Sequence, residues 1–226
     1  MPKNKITGIV PIGGFGTRLG MTFSKEMLPQ RNFNYYNPIS NHLVSKMIDA
    51  GAEKIIFIHG DELKSDVTSF FTDENFIHIC QKKHGFANVL LEFLDYKTPA
   101  RNEVLLFGMP DTIFENNPFI KMSTIKGVVA GTFITDSQSK LDRLEKNMKK
   151  FKVKSCLEDD LLDMFWGVLK FDGKNLLDAY EKNLFEKYTE VGDIVNSLGF
   201  ETVPENKYID LGTWNNYNRY LSHGYY

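Results

Sequence analysis

Cysteine is scarce in this chain. Cys80 and Cys156 are the only two in 226 residues. They lie far apart and match no CxxC or other zinc spacing, so both read as free thiols in a reducing compartment. Long apolar runs are also missing. The start, 1–5, is short and polar, no signal-type apolar region follows it, and no stretch of roughly 18 apolar residues occurs. The expectation is a cytoplasmic protein that neither spans a membrane nor carries a classical export signal. Charge of one sign is missing too: 27 Lys and Arg face 29 Asp and Glu, for a net charge of −2. With a pI near 6.2 and no polybasic run, the chain does not read as a general nucleic-acid or membrane-surface binder. There is no internal repeat, low-complexity tract or Pro/Gly/Ser-rich linker. What is present, 42% hydrophobic residues, suffices for one well-packed domain and is too short for two full ones.

The first half alternates between two periodicities. An apolar run at 6–12 ends at Gly13-Gly14 and reads as a buried strand. Pro38 opens a helix in which Ile39, Leu43, Val44, Met47 and Ile48 recur at three- and four-residue spacing, and Gly51 closes it. Further strands are expected at 54–59, 76–80 and 104–107, with helices at 63–71 and 86–96. This β-α-β-α-β-α-β order predicts a single-domain, Rossmann-like α/β fold: a mixed, mainly parallel sheet flanked by helices. Ligands bind such sheets beyond the carboxyl ends of the strands, here at 13–25, 59–61, 81–85 and 108–112. In the second half, 127–134 and 165–171 read as strands, and 173–187 and 213–221 as helices. The charged stretch 136–164 reads as an insertion or a substrate-side excursion.

The strongest local signal is GGFGTRL, beginning at Gly13 directly after the first strand, followed by KEMLP from Lys25. Glycines let backbone N–H groups approach phosphate oxygens without a Cβ in the way. Arg18 offers a planar fork suited to phosphate, and Lys25 a compact charge for a second one. The pattern is not a Walker A loop, because no Gly-Lys-Ser/Thr closes it. Nor is it the dinucleotide fingerprint, because Leu19 stands where the third glycine belongs. That spacing weakens a Rossmann-type oxidoreductase. Singly, Asp111 also reads as a helix cap or turn residue, and Asp210 as a turn aspartate before glycine. His42, His59, His78, His84 and His223 show no ligand spacing and read as strand-end or surface residues. Tyr217, Tyr220, Tyr225 and Tyr226 read as packing.

With GGFGTRL and KEMLP in that order, the sequence resembles the nucleotidyltransferase family of sugar-1-phosphate thymidylyl-, uridylyl-, guanylyl- and cytidylyltransferases. The resemblance runs along nearly the whole chain. QKKHGFA from Gln81 looks like the family's base-reading segment, PDTIF from Pro110 like the one carrying a metal-binding aspartate, and YIDLGT from Tyr208 like the late segment carrying a second. The resemblance implies the nucleotide-diphospho-sugar transferase fold, with a nucleotide-binding half at 1–115 and an acceptor-binding half at 116–226. It implies that the backbone at Ile12, Gly13 and Gly14 flanks base and ribose, that Gly16, Thr17 and Arg18 hold a triphosphate, and that Lys25 bridges the α-phosphate and the incoming phosphate. Gln81 and Gly85 would read the base, and Asp111 and Asp210 would hold Mg²⁺. Arg18, Lys25 and Asp111 are the catalytic candidates.

Two departures bear on substrate. Gln81 to Gly85 is one residue shorter than the step expected of thymidylyl- and uridylyltransferases. The Glu-Lys-Pro segment that grips the sugar phosphate is missing; Lys152 or Lys154 could replace its lysine or simply form a solvated basic face, and Trp166 occupies the acceptor-lining position. The reading is therefore a Mg²⁺-dependent reaction of a nucleoside triphosphate with a phosphorylated small molecule. CTP is favoured, with a non-sugar phosphate such as phosphocholine or phosphoglutamine standing beside a sugar 1-phosphate as acceptor. Its product would supply a surface (capsule) polysaccharide or its decoration. Thymidylyl-, uridylyl- or guanylyl transfer, a non-catalytic nucleotide-binding regulator on the same fold, and a homodimeric state all stay open.

Overall fold

Short runs of β-branched and apolar residues build the centre of the protein. Ile6–Ile12 (β1), Lys54–His59 (β2), Phe76–Cys80 (β3) and Val104–Gly108 (β4) are strands. In the computed structural model, the residues described are 4–14, 20, 23–31, 34–83, 85–134, 164–205 and 208–224, with only the backbone at 133–134, 164–166 and 205. Between the strands lie α1 (Ile39–Asp49), α2 (Ser65–Phe70) and α3 (Asn88–Tyr96). After β4 come β5 (Thr112–Phe114), α4 (Pro118–Met122), β6 (Val129–Ile134) and β7 (Met164–Asp172). The chain continues through α5 (Gly173–Glu181), α6 (Leu184–Lys187), α7 (Val191–Leu198) and β8 (Glu201–Glu205). It finishes with β9 (Tyr208–Asp210) and α8 (Trp214–His223).

The main sheet has seven strands in the order β3-β2-β1-β4-β7-β6-β8. β1 lies between β2 and β4 and is parallel to both, and β3 is parallel to β2. β7 runs antiparallel to its two neighbours, β4 and β6, whereas β8 is parallel to β6. One reversed strand thus makes the sheet mixed and mainly parallel, as expected. Alternate residues of each strand face opposite sides. Ile9, Ile56, Leu105 and Leu169 pack with α3, α5 and α7 residues such as Phe93, Leu176 and Ile194. Val10, Phe57, Leu106 and Val168 pack with Leu43, Val44 and Met47 of α1 and with Phe119 of α4. Each such buried side chain stabilises by roughly 1.5–3 kcal/mol. Ile48, expected on the apolar stripe of α1, is instead exposed.

Some expected elements are redrawn by local chemistry. The helix expected at 63–71 begins at Ser65, because Lys64 is extended and gives its N–H to His59 Nδ1 at 3.1 Å. The single helix expected at 173–187 is two helices, broken at Asn183, whose φ of 54° is left-handed, a conformation asparagine tolerates. The stretch 136–163 lies outside the described residues. β5, α4, α7 and β8 were not anticipated. β5 and α4, at three and five residues, are too short to show a period.

β5 pairs with β9 in a separate two-stranded ladder. A third apolar cluster holds it: Leu28, Ile39, Ile113, Ile209, Leu211, Tyr217 and Tyr220. Tyr217 and Tyr220 are therefore packing residues, as the sequence suggests, while Tyr225 and Tyr226 lie outside the described residues. The Tyr217 hydroxyl donates to Pro29 O at 2.8 Å, and the Tyr220 hydroxyl accepts from Arg31 N–H at 3.2 Å. These bonds tie α8 to the segment that follows Lys25. His42 of α1 is half-buried, and its Nε2 lies 3.1 Å from the Phe114 carbonyl oxygen and 3.2 Å from the Phe114 nitrogen, which ties α1 to β5.

Two outcomes follow for stability. At Gly173 a Cβ would lie 2.1 Å from the Ala100 carbonyl oxygen, a backbone atom that cannot step aside. Gly173→Ala should cost about 1–3 kcal/mol in chemical denaturation. Burial, with the nearby charge of Lys46, pushes His42 down to about 4. As pH falls, the unfolded chain takes up this proton first, near pH ~6.5, so the stability contribution is complete above that pH and is lost on the way down to about 4. Denaturation midpoints should fall across this window, and His42→Gln should flatten the slope by an amount on the order of 1–3 kcal/mol in total.

Candidate functional site

The carboxyl ends of β1, β2, β3 and β4 lie side by side, so the segments that follow them meet. They enclose a cavity of about 270 Å³ whose lining includes Gly13, Gly14, Lys25, Gln81, Gly85 and Asp111. Six of the residues singled out from sequence thus share one space, although they span almost half of the chain. A second, wider opening of about 660 Å³ lies beyond Gly13, Gly14 and Gly60, which line both; its other walls include Ser24, Lys64 and Asp66.

At one end of the smaller cavity, Lys25 Nζ meets Asp111 Oδ2 at 2.5 Å, and both side chains are nearly buried. Lys25 sits in a single 3-10 turn, Lys25–Met27. Its side chain passes over Gly14, where a Cβ would stand 3.5 Å from Lys25 Cε and 3.7 Å from Nζ. Gly13 closes equally on Gly60 and on the Gln81 amide, with 3.8 Å and 3.7 Å left for a Cβ. At the other end, Gln81 Nε2 donates to the Gly85 carbonyl at 2.7 Å. Because that carbonyl can only accept, the bond fixes which end of the Gln81 amide is nitrogen. Gly85 has φ of +116°, which favours glycine. Phe86 and Val89 supply apolar wall beside it.

Asp210 is brought close by the small ladder. Thr112 pairs with Asp210, and the Leu211 N–H donates to Asp111 O at 2.8 Å, so the two aspartates occupy adjacent positions on neighbouring segments. The Asp210 carboxylate accepts from Gly212 N–H at 2.7 Å and is not part of the cavity lining. Among the described residues no group of three or more His, Cys, Asp or Glu side chains is arranged to hold a metal. Mg²⁺ commonly takes one or two protein carboxylates and fills its shell with phosphates and water. Asp111 and Asp210 are carboxylates of that type, the first engaged by Lys25 and the second by Gly212 N–H.

Ile12 ends β1, with its side chain in the core. Trp166 lies on β7, two positions before Val168, which pairs with Gly108 at the end of β4. Its backbone is therefore at the ligand edge of the sheet. Gly16, Thr17, Arg18, Lys152 and Lys154 lie outside the described residues.

Several residues around the site were not singled out from sequence. Lys64 Nζ donates to Gly14 O at 2.8 Å and to Glu26 Oε2 at 3.1 Å. Asp66 accepts from Ser24 N–H at 2.9 Å and from Ser24 Oγ at 2.7 Å. Burial pushes the Glu26 carboxyl up, with Lys64 pulling against it. Burial also opposes ionisation of Asp66, but the bonds from Ser24 prevail and hold it below the usual carboxylate range. His59 and His78, read from sequence as bland, form a chain. His59 Nδ1 accepts from Lys64 N–H, so its proton is on Nε2, 2.9 Å from His78 Nδ1; His78 Nε2–H then reaches Phe71 O at 2.9 Å. Burial first, then His78 and Lys64, push His59 down to about 4. The sequence cues were positional: Ser24 and Glu26 flank Lys25, and Lys64 and Asp66 follow β2 at the carboxyl edge of the sheet.

No protein-family model matches the sequence, and no curated protein matches it. Solved structures do resemble the fold. One, from Bacillus anthracis, assigned as a glucose-1-phosphate thymidylyltransferase and holding sucrose, superposes with a TM-score of 0.74 at 20% identity, over 97% of this chain and 95% of that one. Another, a Mycobacterium tuberculosis protein, gives 0.65 at 12% identity, over 98% of this chain and all of that one. Among the described residues, no helix is long and apolar enough to cross a membrane. Sheet order, flanking helices and these superpositions agree: the chain has the nucleotide-diphospho-sugar transferase fold.

Proposed function

We propose that the chain is a nucleotidylyltransferase that joins the α-phosphate of a nucleoside triphosphate to a phosphorylated small molecule and releases pyrophosphate. The observation that carries this reading is the convergence of Gly13, Gly14, Lys25, Gln81, Gly85 and Asp111 on one cavity, with the Lys25–Asp111 pair at its end. Base and ribose would lie along Gln81, Gly85 and the Gly13-Gly14 backbone, with the phosphates toward Lys25. Gly16, Thr17 and Arg18 complete the triphosphate cradle in this reading. The segment 1–115 would serve the nucleotide and 116–226 the acceptor, with Lys152, Lys154 and Trp166 on the acceptor side.

The chemistry asks little more of the protein. An acceptor phosphate oxygen is already anionic at neutral pH, so no general base is needed. It attacks the α-phosphorus as the bond to the leaving pyrophosphate breaks, and the enzyme must neutralise charge and hold the groups in line. An entering phosphate competes with Asp111 for the Lys25 ammonium. Asp111 and Asp210 would hold Mg²⁺, which supplies Lewis-acid stabilisation of the phosphate charge when bound. The shortened Gln81-to-Gly85 step departs from thymidylyl- and uridylyltransferase base reading. The missing Glu-Lys-Pro segment speaks for CTP as the triphosphate, with a non-sugar phosphate standing beside a sugar 1-phosphate as acceptor.

The test is pyrophosphate release from the common nucleoside triphosphates, with Mg²⁺, against sugar and non-sugar phosphates. CTP with one such acceptor should give the highest kcat/KM. Asp111→Asn and Lys25→Met should each lower kcat by about 10²–10³, the size of a lost charge contact in a transition state. Wild-type rates in both variants, with folding intact by circular dichroism, would remove these residues from the reaction.

A further inference from the structure

The loop after β2 carries contacts that the proposed reaction does not use. The Lys64 ammonium joins two points of the preceding segment: the Gly14 carbonyl at its start and the Glu26 carboxylate at its end. Glu26 is 1% exposed, so its charge has been taken out of water beside Lys25 for a contact with Lys64. Two residues on, the Asp66 carboxylate holds both the N–H and the hydroxyl of Ser24. Lys64 is itself fixed from behind, through its N–H, by the His59–His78–Phe71 chain. Two lysines thus bracket Gly14: Lys25 passes over its Cα, and Lys64 binds its carbonyl oxygen.

We propose that Lys64 is a positioning residue for the nucleotide, clamping Gly14 to Glu26 so that Gly14 and Lys25 are set in place before a triphosphate arrives. The functional half of this proposal rests on the nucleotidylyltransferase reading; the clamp does not. Orienting these groups in advance removes an ordering cost that binding must otherwise meet. Lys64 does this through Gly14 and Glu26, with Asp66 steadying Ser24 alongside.

Two measurements test it on the full chain. The first is amide hydrogen exchange of Met27 and Leu28, whose N–H groups bond to Ser24 O at 2.9 Å and Lys25 O at 3.1 Å in the turn that Glu26 anchors. Lys64→Met should lower their protection by roughly tenfold while β1 to β4 keep theirs, and Lys64→Arg should restore it. The second is kinetic: Lys64→Met should raise the nucleotide KM by about tenfold or more and leave the acceptor KM within about twofold. Glu26→Gln keeps the cation but loosens the clamp, so it should reproduce both effects; if Glu26→Gln does not fold, Asp66→Asn should reproduce them more weakly. Wild-type exchange and nucleotide KM in Lys64→Met would overturn the proposal. So would a raised KM in Lys64→Met with a wild-type value in folded Glu26→Gln, which would make Lys64 a direct phosphate contact. If the wild-type protein turns over no triphosphate, the reaction fails by itself, and hydrogen exchange alone decides whether the clamp stands.

Discussion

The site is organised around the ion pair of Lys25 and Asp111. A nearly buried pair of this kind yields little net stability, since both charges lose their hydration. What it does is hold a cation and an anion, 86 positions apart in the chain, at one end of a small cavity. The pair forms because β1 and β4 are direct neighbours: Ile6 to Ile9 align with Val104 to Phe107, so the segments leaving the two strands emerge together. Anything that shifted that register would separate the charges.

Two further elements depend on the same corner. The β5–β9 ladder begins one residue after Asp111 and delivers Asp210 beside it, with the Leu28–Ile39–Tyr217 cluster closing underneath. From the other side, the β2–α2 loop supports the segment that carries Lys25. Lys64 of that loop bonds to Gly14 and Glu26, and Asp66 in the first turn of α2 bonds to Ser24. Beneath it His59 accepts the Lys64 N–H through Nδ1, which suits a neutral imidazole, and its depressed proton affinity agrees with that. The cavity is therefore walled by loops that rest on a sheet buried on both faces, the arrangement in which loop positions are held most firmly.

The first four strands were legible because parallel strands covered on both faces read as nearly unbroken apolar runs. The ends of β2 and β3 agree with the sequence to the residue. Gly13, Gly14, Lys25, Gln81, Gly85 and Asp111 stood out as well, because their residue types fall in the segments that follow the first, third and fourth strands. The reading was poorer past β4. The elements there are short, one helix is broken by the left-handed Asn183, and β7 runs against the rest of the sheet. Neither strand direction nor neighbour order leaves a periodic mark on a sequence.

By itself, then, the sequence determined the alternating α/β order, the ligand edge of the sheet and the residue types gathered there, because local periodicity and glycine chemistry are properties of neighbouring residues. Tertiary structure alone decided that Lys25 meets Asp111, that Asp210 arrives through a three-residue strand, and that Lys64, Glu26 and Asp66 tie the β2 loop to the glycine turn. Those contacts join residues tens of positions apart, and only the packed sheet brings them within hydrogen-bonding distance.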